Sequence, residues 1–107
     1  KEKSCPEYSI MQKLYFVYIL TNPSHTVFYT GMTNNLMRRI WEHKEKLNPK
    51  SFTAKYNCIK LIYFESGESS IWAIEREKMI KDMRRERKVE LIETMNPKWE
   101  DLSERLG

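Results

Sequence analysis

Leu14-Tyr15-Phe16-Val17-Tyr18-Ile19-Leu20 is a run of seven apolar, aromatic and β-branched side chains. It is too short and too aromatic for a helix, and it has no polar alternation. It therefore reads as a β-strand buried on both faces. Thr21-Asn22-Pro23-Ser24-His25 follows with turn chemistry. Thr26 to Thr30 makes a second short strand ending at Gly31, and so short a connection implies an antiparallel hairpin.

Working outward, Asn34 or Asn35 can cap a helix from Leu36 to about Lys46, which Asn48-Pro49 stops. Residues 48–57 read as loop and Ile59–Glu65 as a third strand. Ser66-Gly67-Glu68-Ser69-Ser70 is a loop ending in a cap for a helix from Ile71 to about Met83. A further helix, about Glu86 to Met95, carries Val89, Ile92 and Met95 three apart with Leu91 beside them. Asn96-Pro97 closes it, and residues 98–106 are expected to add a final helical turn or two. The order ββαβαα predicts an α+β domain, a three-stranded antiparallel sheet flanked by helices.

The chain has 107 residues, enough for one domain with a modest core, and its three Trp, six Tyr and four Phe argue against disorder. Residues 1–12 are expected to form a poorly ordered extension and 13–107 the single domain. Cys5 and Cys58 are too few for a disulfide framework and have no zinc-site spacing, so both read as reduced thiols. No stretch approaches the ~20 apolar residues of a membrane span, so the expectation is a cytoplasmic protein without membrane contact. The net charge of +4 is unevenly placed. Residues 32–60 hold seven Lys/Arg against Glu42 and Glu45, leaving the remainder at −1. Such a block suits a polyanion, nucleic acid first, and equally an ordinary solvated face.

Three sets of side chains carry chemistry. Arg39 and His43 lie four apart on one predicted helix, beside an apolar stripe of Leu36, Ile40 and, beyond, Leu47. A guanidinium fork suits phosphate oxygens, and an imidazole can donate or exchange a proton near neutral pH. A polar helix face paired with Glu42 and Lys46 would look the same. Glu77 lies between Ala73 and Ile80 on a helix seam, where a carboxylate needs a cation; Mg²⁺, an arginine or Lys81 one turn later would serve. Tyr18 and Tyr29 fall where a hairpin would bring them near one end of the sheet. A phenol with an ordinary pKa of about 10 becomes a base only beside positive charge, and buried tyrosines are also plain core material.

The order and spacing of these residues say more than any one of them. Tyr15-Phe16-Val17-Tyr18-Ile19-Leu20, Tyr29-Thr30-Gly31, Arg38-Arg39-Ile40-x-Glu42-His43 and Arg76-Glu77-Lys78-x-Ile80-Lys81 together resemble the GIY-YIG endonuclease superfamily. The likeness is to small stand-alone bacterial members similar to the N-terminal nuclease module of the excision-repair endonuclease, and it covers about residues 13–102. It implies a metal-dependent endonuclease that hydrolyses DNA phosphodiester bonds with a tyrosine-activated water, in DNA repair or recombination. Tyr18, Tyr29, Arg39 and His43 take the catalytic positions. Glu77 takes that of the ligand to Mg²⁺ or Mn²⁺. Asn96 is the candidate for a late asparagine; Met32 stands where some members have a lysine, and Lys55 from the loop is a candidate to compensate. Two departures stand out: Phe16 occupies the first motif's glycine position, and Thr30 replaces an aliphatic residue. Arg38, Lys44, Lys46, Lys50 and Lys55 would hold the DNA backbone, giving structure- rather than sequence-selective binding. A homodimer or a protein partner stays open. The alternative from another class is a non-catalytic nucleic-acid-binding module using the basic surface around residues 38–60; a protein-interaction domain is a third.

Overall fold

The structure, a computed structural model, describes residues 13–106; the expected extension, residues 1–12 with Cys5, lies outside them. Strand β1 (Tyr15–Thr21) is central, between β2 (Phe28–Thr33) and β3 (Lys60–Gly67), and both pairings are antiparallel. Its apolar run is buried on both faces. Val17 and Ile19 face a core completed by Ile62, Ala73, Ile80 and Ile92. Tyr18 and Leu20 face a second core with Leu36, Ile40, Cys58, Leu61 and Leu102. The first core lies under α3 (Ser70–Lys81) and α4 (Arg85–Met95). The second lies under α1 (Leu36–Lys44) and a 3₁₀ turn at Leu102–Arg105. The molecule is thus an α+β domain with the predicted strands and helices in the predicted order and one short helix added before β3. Among the described residues no helix is long and apolar enough to cross a membrane.

Caps set the helix starts. The Asn35 side chain accepts from the Arg38 N–H, and that of Ser69 accepts from the Trp72 N–H. Four features differ from the sequence reading. First, β2 does not end at Gly31 but runs through it, because Gly31 pairs with Tyr18 across the hairpin. A Cβ at Gly31 would lie 2.6 Å from the Tyr18 hydroxyl oxygen, so only a glycine lets that ring cross the backbone here. Second, α1 stops at Lys44 and Lys46 turns the chain at φ 53°, which leaves Leu47 59% exposed instead of extending the stripe. Third, the expected loop 48–57 contains a one-turn helix, α2 (Phe52–Lys55), capped by Ser51. Fourth, the pairing shifts between Ile19 and Leu20: Ile19 opposes Tyr63 and Leu20 opposes Leu61. The extra residue, Ile62, makes a bulge that turns both Ile62 and Tyr63 toward the first core.

Candidate active site

Tyr18 on β1, Tyr29 on β2 and His43 on α1 meet at one end of the second core. Tyr29 and Gly31 are two apart on one strand and so share a face, the face on which Tyr18 lies. The Tyr18 and Tyr29 ring centroids are 6.3 Å apart, and each lies within 6 Å of the His43 ring, at 5.9 and 5.8 Å. Tyr18 is fully buried, and its hydroxyl lies 3.1 Å from His43 Nε2. His43 Nδ1 is 2.8 Å from Thr53 Oγ1, a buried hydroxyl on α2.

Charge and burial decide the protonation states. Burial pushes the Tyr18 phenol well above its ordinary range, reinforced by Tyr29 and opposed by the Arg39 guanidinium. Burial also lowers the His43 pKa, and Arg39 lowers it further, while Glu42 acts the other way. His43 is therefore a neutral imidazole at pH 7. Either neutral tautomer satisfies both neighbours: Nδ1–H donates to Thr53 Oγ1 while Nε2 accepts from the Tyr18 hydroxyl, or Nε2–H donates to the Tyr18 oxygen while Nδ1 accepts from the Thr53 hydroxyl. The sequence reading missed Thr53; Ser51, a cap signal ahead of Phe52, was the clue to the turn that places it.

Tyr29, Arg39, Glu42, His43, Lys46 and Thr53 line an open cleft of about 450 Å³. Arg39 is held by Glu42, Nε to Oε1 at 3.3 Å, and Arg38 pairs with the other oxygen of the same carboxylate at 3.2 Å. The Arg39 side chain stays 43% exposed, so its fork is open to a ligand.

Glu77 lies on α3, the helix that packs on the first core, and is not among the cleft-lining residues. Its connection with the cluster is electrostatic: its charge acts on Tyr18, as the smallest of five influences there. Lys81 pairs with it at 3.3 Å, and the carboxylate is mostly covered. Among the described residues no three His, Cys, Asp or Glu side chains converge on a metal position. The available donor is a lone carboxylate, which fits a magnesium-type ion that takes one or two carboxylates and fills its shell with water and phosphate oxygens.

Other candidates are placed elsewhere. Asn96 is buried at the end of α4. Its Nδ2 donates to the carbonyls of Ile62 and Glu100, at 3.0 and 2.8 Å, and its Oδ1 accepts from the Glu100 N–H at 2.9 Å. Its amide is thus spent on the backbone, away from the cleft lining. Lys44 is paired at 2.6 Å with Asp101 of the C-terminal turn. Lys50 and Lys55 are exposed near the cleft, and Lys55 lies over the Tyr56 ring. Met32 packs against the first core and so faces away from Tyr18. A network not foreseen from sequence pins α3 to the sheet: the Glu65 carboxylate takes two bonds from Arg76, at 2.8 and 2.7 Å, and one from the Tyr63 hydroxyl.

Residues 14–90 match the family described as the GIY-YIG catalytic domain. A UPF0213 protein of Clostridium perfringens is 36% identical over 92 residues, 86% of this chain and 97% of that protein. A UPF0213 protein of Syntrophus aciditrophicus is 35% identical over 82 residues, 77% of this chain and 92% of the relative. The solution NMR structure of the UPF0213 protein of Bacillus halodurans aligns with a TM-score of 0.53 at 25% identity, covering 82% of this chain and 92% of the other. With the tyrosine pair, the glycine beneath it and the helix arginine in place, the chain belongs to the GIY-YIG family, a nuclease domain family, and its relatives are small UPF0213 members of that family.

Proposed function

We propose that the protein is a metal-dependent DNA endonuclease whose catalytic groups are Tyr29, Arg39 and His43, positioned by Tyr18, with Glu77 as the metal ligand, serving DNA repair or recombination. The observation that carries this reading is the contact chain Tyr29–Tyr18–His43–Thr53 beside an exposed Arg39 at the wall of an open cleft.

Each side chain has work suited to its surroundings. A phosphodiester is anionic and repels hydroxide, so its hydrolysis needs charge neutralisation and a positioned water. Arg39 presents a permanent fork to the phosphate oxygens, held in direction by Glu42. Tyr29 reaches the cleft, where its oxygen orients the attacking water. Tyr18 is sealed from solvent, so its part is to hold His43 and the floor under Tyr29. His43, held between Tyr18 and Thr53 at the same wall, assists proton movement through those two contacts. A Mg²⁺ or Mn²⁺ ion at Glu77 would supply Lewis acidity to the phosphate. Arg38, Lys46, Lys50 and Lys55 hold the backbone without reading bases.

The test is a cleavage screen over linear, nicked, flapped and branched DNA with either metal, with binding measured in parallel. Tyr29→Phe and Arg39→Ala should each lower cutting by about a hundredfold or more, while Tyr29→Phe leaves DNA retention intact. If the wild type binds salt-sensitively but never cuts, the non-catalytic binding module is the right reading. If retention is unchanged between about 50 and 200 mM salt, both nucleic-acid readings fail.

A further inference from the structure

Beside the cleft, α2 carries two aromatic rings that the fold does not bury. Phe52 and Tyr56 are 45% and 43% exposed, with ring centroids 4.7 Å apart. Phe52 lies 5.9 Å from Tyr29, so the rings run outward from the cleft in an unbroken series, Tyr29 to Phe52 to Tyr56. Lys55 lies 5.6 Å from the centre of the Tyr56 ring, and Lys50 is exposed just before the turn.

The turn does not depend on these rings for its shape. Thr53 is its buried residue, Ser51 caps it, and the Cys58 N–H closes it on the Thr53 carbonyl at 2.8 Å. Ser51 and Thr53, on either side of Phe52, line the cleft itself. The segment is therefore a capped turn that holds flat apolar faces, flanked by cations, beside the open cleft.

We propose that Phe52 and Tyr56 form a stacking ledge for an unpaired nucleobase of the strand held in the cleft, and that this ledge makes the protein prefer single-stranded or flapped DNA to continuous duplex. The inference rests on the nuclease reading above and adds the substrate form. In a continuous duplex each base is already stacked between its neighbours, and an exposed ring gains nothing from it. In an unpaired strand a base can leave its stack and lie on Phe52 while Lys50 and Lys55 neutralise the adjoining phosphates. Stacking tolerates any base, because every base has a π-face.

The test measures equilibrium binding of the full protein to a single-stranded oligonucleotide and to the matching duplex, in calcium to suppress cutting. One position of the single strand carries 2-aminopurine, whose fluorescence reports stacking. Phe52→Ala should weaken single-strand binding about five- to a hundredfold and abolish the fluorescence change, with duplex binding altered less than about twofold. Phe52→Leu keeps apolar volume for folding and should behave like alanine, whereas Tyr56→Phe keeps the ring and should behave like wild type. If Phe52→Leu folds and binds single strands as the wild type does, or weakens both DNA forms equally, the ledge is wrong while the nuclease reading stands on its own cleavage assay. If the wild type binds neither DNA form, ledge and nuclease reading fall together.

Discussion

Replacing Gly31 with alanine puts a methyl carbon 2.6 Å from the Tyr18 hydroxyl oxygen, 2.7 Å from Tyr18 Cζ and 3.0 Å from Tyr29 Cε2. The two Tyr18 atoms cannot yield cheaply. Tyr18 is fully buried in the second core and tied to His43, and its partner in the hairpin is the altered residue itself. Forcing a methyl into such packing costs about 1–3 kcal/mol. Displacing the phenol also breaks its bond to His43, worth about 1 kcal/mol. The expected destabilisation is about 2–4 kcal/mol, a fall in Tm of roughly 10–25 °C for a domain of this size. Urea unfolding should show the midpoint falling at constant m. A double-mutant cycle sharpens the argument. Tyr18→Phe removes the closest atom and the His43 bond together, so Gly31→Ala should cost about 1 kcal/mol less in that background. Additive effects, or a Gly31→Ala protein within about 0.5 kcal/mol of wild type, would refute the claim that the glycine exists to seat the tyrosine.

Other expectations follow from the same contacts. Because burial lowers the His43 pKa below its unfolded value of about 6.5, the unfolded chain binds the proton first. The stability that His43 confers is whole above that pH and lost as pH falls from it through the folded pKa; His43→Gln should flatten this part of a Tm-against-pH curve between about pH 5 and 7.5. Asn96→Ala strands two carbonyls and an N–H at the end of α4 and should cost about 2–4 kcal/mol in urea unfolding. Arg76→Ala leaves the mostly covered Glu65 without its two-bond partner and should cost about 1–3 kcal/mol. For Glu65, burial raises the pKa but the bonds from Arg76 and Tyr63 hold it below its ordinary value. That contribution is present above an unfolded pKa of about 4.3 and disappears as pH falls through the folded one; a urea series at acid pH checks it.

The hairpin, the sheet and the helix order were legible because each rests on local signals: an aromatic β-branched run, a turn with Asn-Pro, and Asn or Ser caps. Spacing of four on a helix made the shared face of Arg39 and His43 legible, but that they and the two tyrosines form one group was implied only by the resemblance to the GIY-YIG family. What escaped the sequence needed tertiary partners or broken periods. Leu61-Ile62-Tyr63-Phe64 is apolar throughout, so nothing marks Ile62 as the bulge. A helix of four residues has no period to read, which hid α2 and with it Thr53. Lys44 looked free to meet phosphate, yet its carboxylate lies 57 residues away on Asp101. Leu47 looked like the end of a stripe because a lysine at positive φ gives no warning that the helix has stopped. Asn96 matched an expected position, but an amide that caps a helix and one that meets a ligand look alike in a sequence.

Single-turnover cutting of a flapped DNA, compared between wild type and Glu77→Gln across a magnesium titration, bears most directly on the account. It predicts wild-type cutting that rises with Mg²⁺ and a Glu77→Gln protein that folds and binds the DNA but cuts about a hundredfold or more slowly. Equal rates in the two proteins, or wild-type cutting indifferent to divalent ions, would contradict it.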